Sequence, residues 1–205
     1  MHTTEIIRNF LSPAQLDTVN ELIATYDSSN DTVEAPIGRY IGVSSEVNDI
    51  INKLVDKLPN EVLFVKVLDA IIPGGPHADT ALPNPLPANF VIPNAARTFI
   101  IPLHTCNSHT ILFHQVLPLQ VDTIEYITTS MEYLPEDTHI TDVEYEKYLS
   151  HINAQWRKKL SIETIFPWIA GDMLIFDRNK IHCSDNYLKN DLTGKRGFVI
   201  WSEIQ

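Results

Sequence analysis

The sequence predicts an α+β chain that is mainly β, a sandwich or jelly roll with helices on its N-terminal side and one helical insertion. Three observations carry this. Helical periodicity is confined to residues 12–58 and to one later stretch, 141–160. From residue 61 on, short apolar runs at strand spacing alternate with turn signals. The helices come first and the strands follow, without the regular β–α–β alternation that a parallel sheet requires.

Residues 4–10 read as a short strand. Ser12-Pro13-Ala14-Gln15 opens a helix, with Ser at the N-cap, Pro at the first helical position and Gln three residues after the cap. Leu16, Val19, Leu22, Ile23 and Tyr26 continue it at helical spacing. A second amphipathic helix is expected from Ser44 or Ser45 to Leu58, ended by Pro59. Val62–Ile71 fits a strand running into the Pro73-Gly74-Gly75-Pro76 turn. Residues 80–96 carry four prolines and no pattern, which suits a functional loop. Arg97–His104 and His109–Val116 read as two strands joined as a hairpin by Thr105–Ser108, followed by a strand near 119–127.

Thr141-x-x-Glu144 is a capping box opening a helix to residue 160, with Tyr145, Tyr148, Leu149, Ile152, Trp156 and Leu160 on one core-facing side. Arg157, Lys158 and Lys159 lie in its last turns, where the helix dipole favours cations. Strands Phe166–Ile169, Asp172–Phe176, Ile181–Ser184 and Arg196–Ser202 close the chain. The expectation is one domain, with residues 60–117 and 164–205 as the β core and 118–163 inserted.

Composition limits the function. The chain has 205 residues, 44% hydrophobic and 20% charged, enough for a core without staples. The net charge of −11 argues against tight binding along a nucleic-acid backbone. Two cysteines, Cys106 and Cys183, make no disulfide framework and suit a reducing cytosol. No apolar run approaches a membrane span, and the first residues do not read as a signal peptide. Oligomeric state is not legible.

The chemistry gathers at His77-Ala78-Asp79, the only H-x-D in the chain. In an extended segment side chains two apart share a face, so an imidazole and a carboxylate point the same way. His182, at the start of a later strand, offers a third ligand. Two histidines and one carboxylate on one side of a metal leave the opposite positions open, a geometry suited to non-haem Fe(II) that must also bind a co-substrate and dioxygen. Other readings exist. His104, Cys106 and His109 flank the expected hairpin and could bind zinc, though no fourth ligand is evident. His114 reads as a pocket or core residue and Cys183 as a small buried one. The two histidines one apart that mark a cupin are absent.

The order His77-x-Asp79, then His182, then Arg196 in a strand resembles the Fe(II)/2-oxoglutarate-dependent oxygenase superfamily. The opening IIRNFLSPAQLDTVNELIATYD is similar to the first strand and helix of its prolyl-4-hydroxylase-like branch, and HCSDN…R to phytanoyl-CoA hydroxylase relatives. The resemblance implies a double-stranded β-helix core. It implies iron on His77, Asp79 and His182, with Arg196 anchoring the distal carboxylate of 2-oxoglutarate and Lys195 turned to the other face of the strand. Thr110 and Asn186 are expected to line the pocket and the 80–96 loop to cover it. The reaction implied is hydroxylation of a small metabolite or peptidyl side chain, using dioxygen and releasing succinate and carbon dioxide. The chain departs from the family in having Asn107-Ser108-His109-Thr110 where many members have Gly-Gly-x-Thr, which bears on the substrate pocket. The competing expectation is a non-catalytic jelly-roll protein that binds metal or serves a structural role.

Overall fold

The structure, a computed structural model, describes residues 3–27, 32–35, 38–41, 62–79, 97–118 and 123–202. The expected helix 44–58 and the loop 80–96 lie outside these residues.

Among the described residues ten strands form two antiparallel sheets. They are β1 (Glu5–Ile7), β2 (Thr32–Ala35), β3 (Gly38–Ile41), β4 (Val62–Ala70), β5 (Arg97–Pro102), β6 (His109–Val116), β7 (Ile162–Pro167), β8 (Met173–Asp177), β9 (Lys180–Ser184) and β10 (Lys195–Ser202). The larger sheet has the order β1-β8-β5-β10-β4-β3-β2, and the smaller β7-β6-β9. This is the jelly roll expected from the sequence. The helix α1 (Pro13–Asp27) begins with the expected reciprocal cap, Ser12 N donating to Gln15 Oε1 at 2.9 Å and Gln15 N to Ser12 Oγ at 3.3 Å.

Burial sorts the strands into layers. Phe198 and Ile200 of β10, Phe99 and Ile101 of β5, and Met173 and Ile175 of β8 pack with Val19 and Ile23 of α1 on the outer face of the large sheet. Ile100, Leu174 and Phe176 point the other way and meet Leu112, Phe166 and Trp168 between the sheets. Ile111, Phe113, Ile181 and Cys183 leave the small sheet on its outer side, where Ile127, Ile140, Leu149 and Leu160 of the insertion cover them. Strand alternation thus feeds three apolar layers. Gly197 sits on the inner face of β10. A Cβ there would stand 2.9 Å from Trp168 Cη2 and 3.0 Å from the Ile101 carbonyl, so only glycine admits the indole over the strand.

Three local expectations are corrected. Residues 97–116 are not a hairpin: β5 lies between β10 and β8, whereas β6 is in the small sheet, so 103–108 crosses between sheets. Every residue of β5 is buried, as a central strand covered on both faces must be. Residues 123–130 are helical rather than extended, an α turn (Thr123–Glu125) passing into a π turn (Tyr126–Ser130). The 141–160 segment is not one helix. Thr141 and Glu144 make the expected capping box, but the turn continues as π over Tyr145–Leu149. Asn153 then accepts from Gln155 N at 2.9 Å and restarts a 3₁₀ turn, Ala154–Lys158. Among the described residues no helix is long and apolar enough to cross a membrane.

Candidate metal centre

His77 and His182 are joined by their backbones before their side chains meet. His77 N donates to the His182 carbonyl at 2.9 Å and His182 N to the His77 carbonyl at 2.8 Å, an isolated antiparallel bridge against β9. This pairing sets the two imidazoles side by side, ring centroids 4.2 Å apart. Each ring has its Nδ1 at a carbonyl, Gly75 O at 2.9 Å for His77 and Lys180 O at 3.1 Å for His182. A carbonyl can only accept, so Nδ1 carries the proton and both Nε2 lone pairs are left for a ligand-accepting ion. Phe176 meets the His182 ring edge-on at 4.8 Å.

Asp79 is clasped at both backbone atoms. Its N–H donates to the Arg178 carbonyl at 2.9 Å, and Arg178 Nε donates to the Asp79 carbonyl. Thr98 Oγ1 donates to Asp79 Oδ2 at 2.8 Å, orienting the carboxylate. That oxygen lies 3.8 Å from His182 Nε2, and ligand atoms of His77, Asp79 and His182 all fall within 4.8 Å of one another. Asp79 and His182 are buried and His77 half-buried. Burial pulls the Arg178 guanidinium pKa down and the Asp79 charge pulls it back up. Two imidazoles and a carboxylate are a donor set for a divalent transition metal, so the residues fit the ion that the sequence suggested. Among the described residues this is the only such group.

Arg196 stands elsewhere. It shares the outer face of β10 with Phe198 and Ile200, and its Nη2 donates to Asp69 Oδ2 of β4 at 2.8 Å. Lys195 occupies the inner face, 3% exposed, with Nζ 4.2 Å above the Trp168 ring and 3.2 Å from the His109 carbonyl it donates to. The expected orientation of these neighbours is therefore reversed. The cause is strand parity: Phe198 and Ile200 must fill the layer under α1, which turns Arg196 outward with them. Burial pushes the Lys195 ammonium down to about 8, against the opposing pull of Asp185, Cys106 and Cys183.

Thr110 does face the inside, accepting from Trp168 Nε1 at 2.9 Å. Asn186 is tied to the insertion, its Nδ2 donating to Ser150 Oγ at 3.0 Å and its N to the Tyr148 carbonyl at 2.7 Å. The three candidate zinc ligands are not brought together. His104 is exposed, Cys106 packs toward Trp168, and His109 Nδ1 pairs with Asp185 Oδ2 at 2.8 Å. Sequence reasoning missed Thr98, Arg178 and Asp185. The one signal for any of them is position, Arg178 lying in the turn just before the strand that carries His182.

No family model matches the sequence, and no curated protein matches it. Solved structures do match its fold. The non-haem α-ketoglutarate-dependent epimerase SnoN of nogalamycin biosynthesis superposes with a TM-score of 0.59 at 12% identity, covering 98% of this chain and 77% of that one. The carbocyclase SnoK of the same biosynthesis gives 0.56 at 14% identity, covering 98% and 80%. HygX from Streptomyces hygroscopicus, solved with nickel, 2-oxoglutarate and hygromycin B, gives 0.55 at 12% identity, covering 98% and 82%. The chain therefore has the jelly-roll fold found in 2-oxoglutarate-dependent oxygenases.

Proposed function

We propose that the protein is an Fe(II)- and 2-oxoglutarate-dependent oxygenase in which His77, Asp79 and His182 hold the iron and Lys195 receives the distal carboxylate of 2-oxoglutarate. The observation that carries this reading is that one jelly roll holds, on its inner faces, both a two-histidine, one-carboxylate group and a buried cation. Iron with 2-oxoglutarate, when bound, would supply the oxidation of a substrate C–H bond by dioxygen, with succinate and carbon dioxide released. The rest belongs to the chain. The Gly75 and Lys180 carbonyls keep the Nδ1 protons of the two histidines in place. Thr98 and the Arg178 clasp fix Asp79. Ile100, Leu112, Leu174 and Phe176 exclude water from the space between the sheets. Lys195, a compact point charge, meets a carboxylate at depth where screening is weak.

SnoN has been solved with Fe3+, α-ketoglutarate and nogalamycin RO, and HygX with hygromycin B, which favours a small metabolite over a peptidyl side chain as substrate. Hydroxylation is the default outcome. The test is succinate formation from 2-oxoglutarate by the Fe(II)-loaded protein in air, with and without pools of small metabolites. The reading expects succinate from the wild type and none from His77→Ala. Metal bound with no succinate under any pool would instead indicate a non-catalytic, metal-binding jelly roll.

A further inference from the structure

Beside the insertion, away from the three metal ligands, lies a second polar cluster, its His109 ring edge-on to Tyr148 at 5.2 Å. Asp185 is 2% exposed. It accepts from Ser108 Oγ at 2.7 Å on Oδ1 and pairs with His109 Nδ1 at 2.8 Å on Oδ2. Its own N–H donates at 3.1 Å to the His109 carbonyl, the same oxygen that takes a hydrogen bond from Lys195 Nζ at 3.2 Å. One carbonyl thus joins the acid's backbone to the ammonium. We propose that Asp185, held by Ser108 and His109, is the counter-ion of Lys195, and that the pair sets the pH range over which the dicarboxylate co-substrate binds. Asp185 is a positioning residue, and the inference rests on the co-substrate reading above.

The electrostatics support the geometry. An ammonium out of water loses its proton readily unless an anion stands near it. Burial drives Lys195 down to about 8, and Asp185 is the largest influence opposing that. Burial would push the Asp185 carboxyl up, but the His109 and Ser108 hydrogen bonds and the Lys195 charge bring it below the ordinary value. The other groups facing Lys195 are weaker partners. The Cys106 and Tyr187 protons are held by burial, Cys183 is buried on the far side of β9, and His151 is held neutral by its own burial. Trp168 contributes only its ring face.

The experiment compares 2-oxoglutarate with 2-oxopentanoate, which keeps the keto-acid end and lacks the distal carboxylate. Both are titrated calorimetrically into Mn(II)-loaded protein between about pH 6.5 and 9. The ratio of the two affinities cancels any titration of the metal ligands. In the wild type the ratio is expected to be level below about pH 8 and to fall about tenfold per unit above it, as one proton leaves Lys195. In Asp185→Asn the descent begins at lower pH, because the ammonium has lost its counter-ion. Below that descent the ratio matches the wild-type value, since the ammonium is present in both. The two curves therefore coincide at low pH and separate as it rises. Lys195→Arg, whose guanidinium keeps its proton unaided, is expected to give a flat profile. A uniform loss at every pH in Asp185→Asn would mean a merely structural role and overturn the inference. So would a level wild-type profile to pH 9 or a descent that survives in Lys195→Arg, and both are readable even if Asp185→Asn fails to fold. A ratio unchanged in Lys195→Ala would instead overturn the co-substrate reading itself.

Discussion

The triad of His77, Asp79 and His182 and the cluster of Lys195 and Asp185 are held by different means. At the metal triad the main chain does the positioning: His77 and His182 exchange two backbone hydrogen bonds, and Asp79 is clasped through its own N–H and carbonyl. At the Lys195 end side chains share the task with one carbonyl: Ser108 and His109 hold Asp185, while the ammonium rests on the Trp168 ring and donates to the His109 carbonyl. Backbone pairing fixes a ligand's starting point to within the tolerance of a sheet. Side-chain networks leave the charge state adjustable. The difference teaches that the same jelly roll can carry one rigid centre and one tunable one.

The sharpest way to break this contrast is at the rigid end. His182→Ala is expected to weaken metal binding by more than about a hundredfold, the upper range seen for merely supporting partners. Its thermal unfolding of the metal-free protein should change little. A variant that still binds Mn(II) like the wild type would remove the triad from the account. At the tunable end, Lys195→Ala is expected to weaken 2-oxoglutarate roughly ten- to hundredfold, the value of a buried hydrogen bond to a charged group, while leaving metal affinity within about twofold.

Between these lies Thr98→Val, which removes the hydroxyl from Asp79 and keeps the shape. About a tenfold loss in metal affinity is expected, with no change in preference for 2-oxoglutarate over 2-oxopentanoate. Gly197→Ala sharpens the packing side. Its methyl would press on Trp168 and the Ile101 carbonyl, and a destabilisation of about 1–3 kcal/mol is expected from denaturant unfolding. The smallest effect belongs to Arg196→Ala. Loss of its partly exposed pair with Asp69 is expected to cost about 1 kcal/mol or less and to leave co-substrate affinity within about threefold.

The triad was legible because its information is local. His77-x-Asp79 beside a Pro-Gly turn announces two side chains on one face, and His182 needs only a strand to bring it back. The N-terminal cap and the Thr141 box were legible for the same reason. The inner cation was not, because β10 is apolar on both faces. Phe198 and Ile200 alternate with Val199 and Trp201, so periodicity shows a strand without saying which side faces the barrel. Gly197 held the missing sign, since a glycine within such a strand marks the face that another group approaches closely, here Trp168. The β5–β6 crossing was hidden because a short connection serves a hairpin and a sheet-to-sheet passage alike. The break at Asn153 was hidden because an apolar stripe continues through it.

The central claim is that the metal centre and Lys195, not Arg196, form one co-substrate site. It is tested most directly by anaerobic titration of Fe(II) and then 2-oxoglutarate into the wild type, Lys195→Ala and Arg196→Ala, following the visible charge-transfer absorption of a keto-acid chelate. The account predicts that absorption in the wild type and in Arg196→Ala at similar ligand concentrations, and at least about tenfold higher concentrations for Lys195→Ala. The reverse order of the two variants, or no absorption in an iron-loaded wild type, would contradict it.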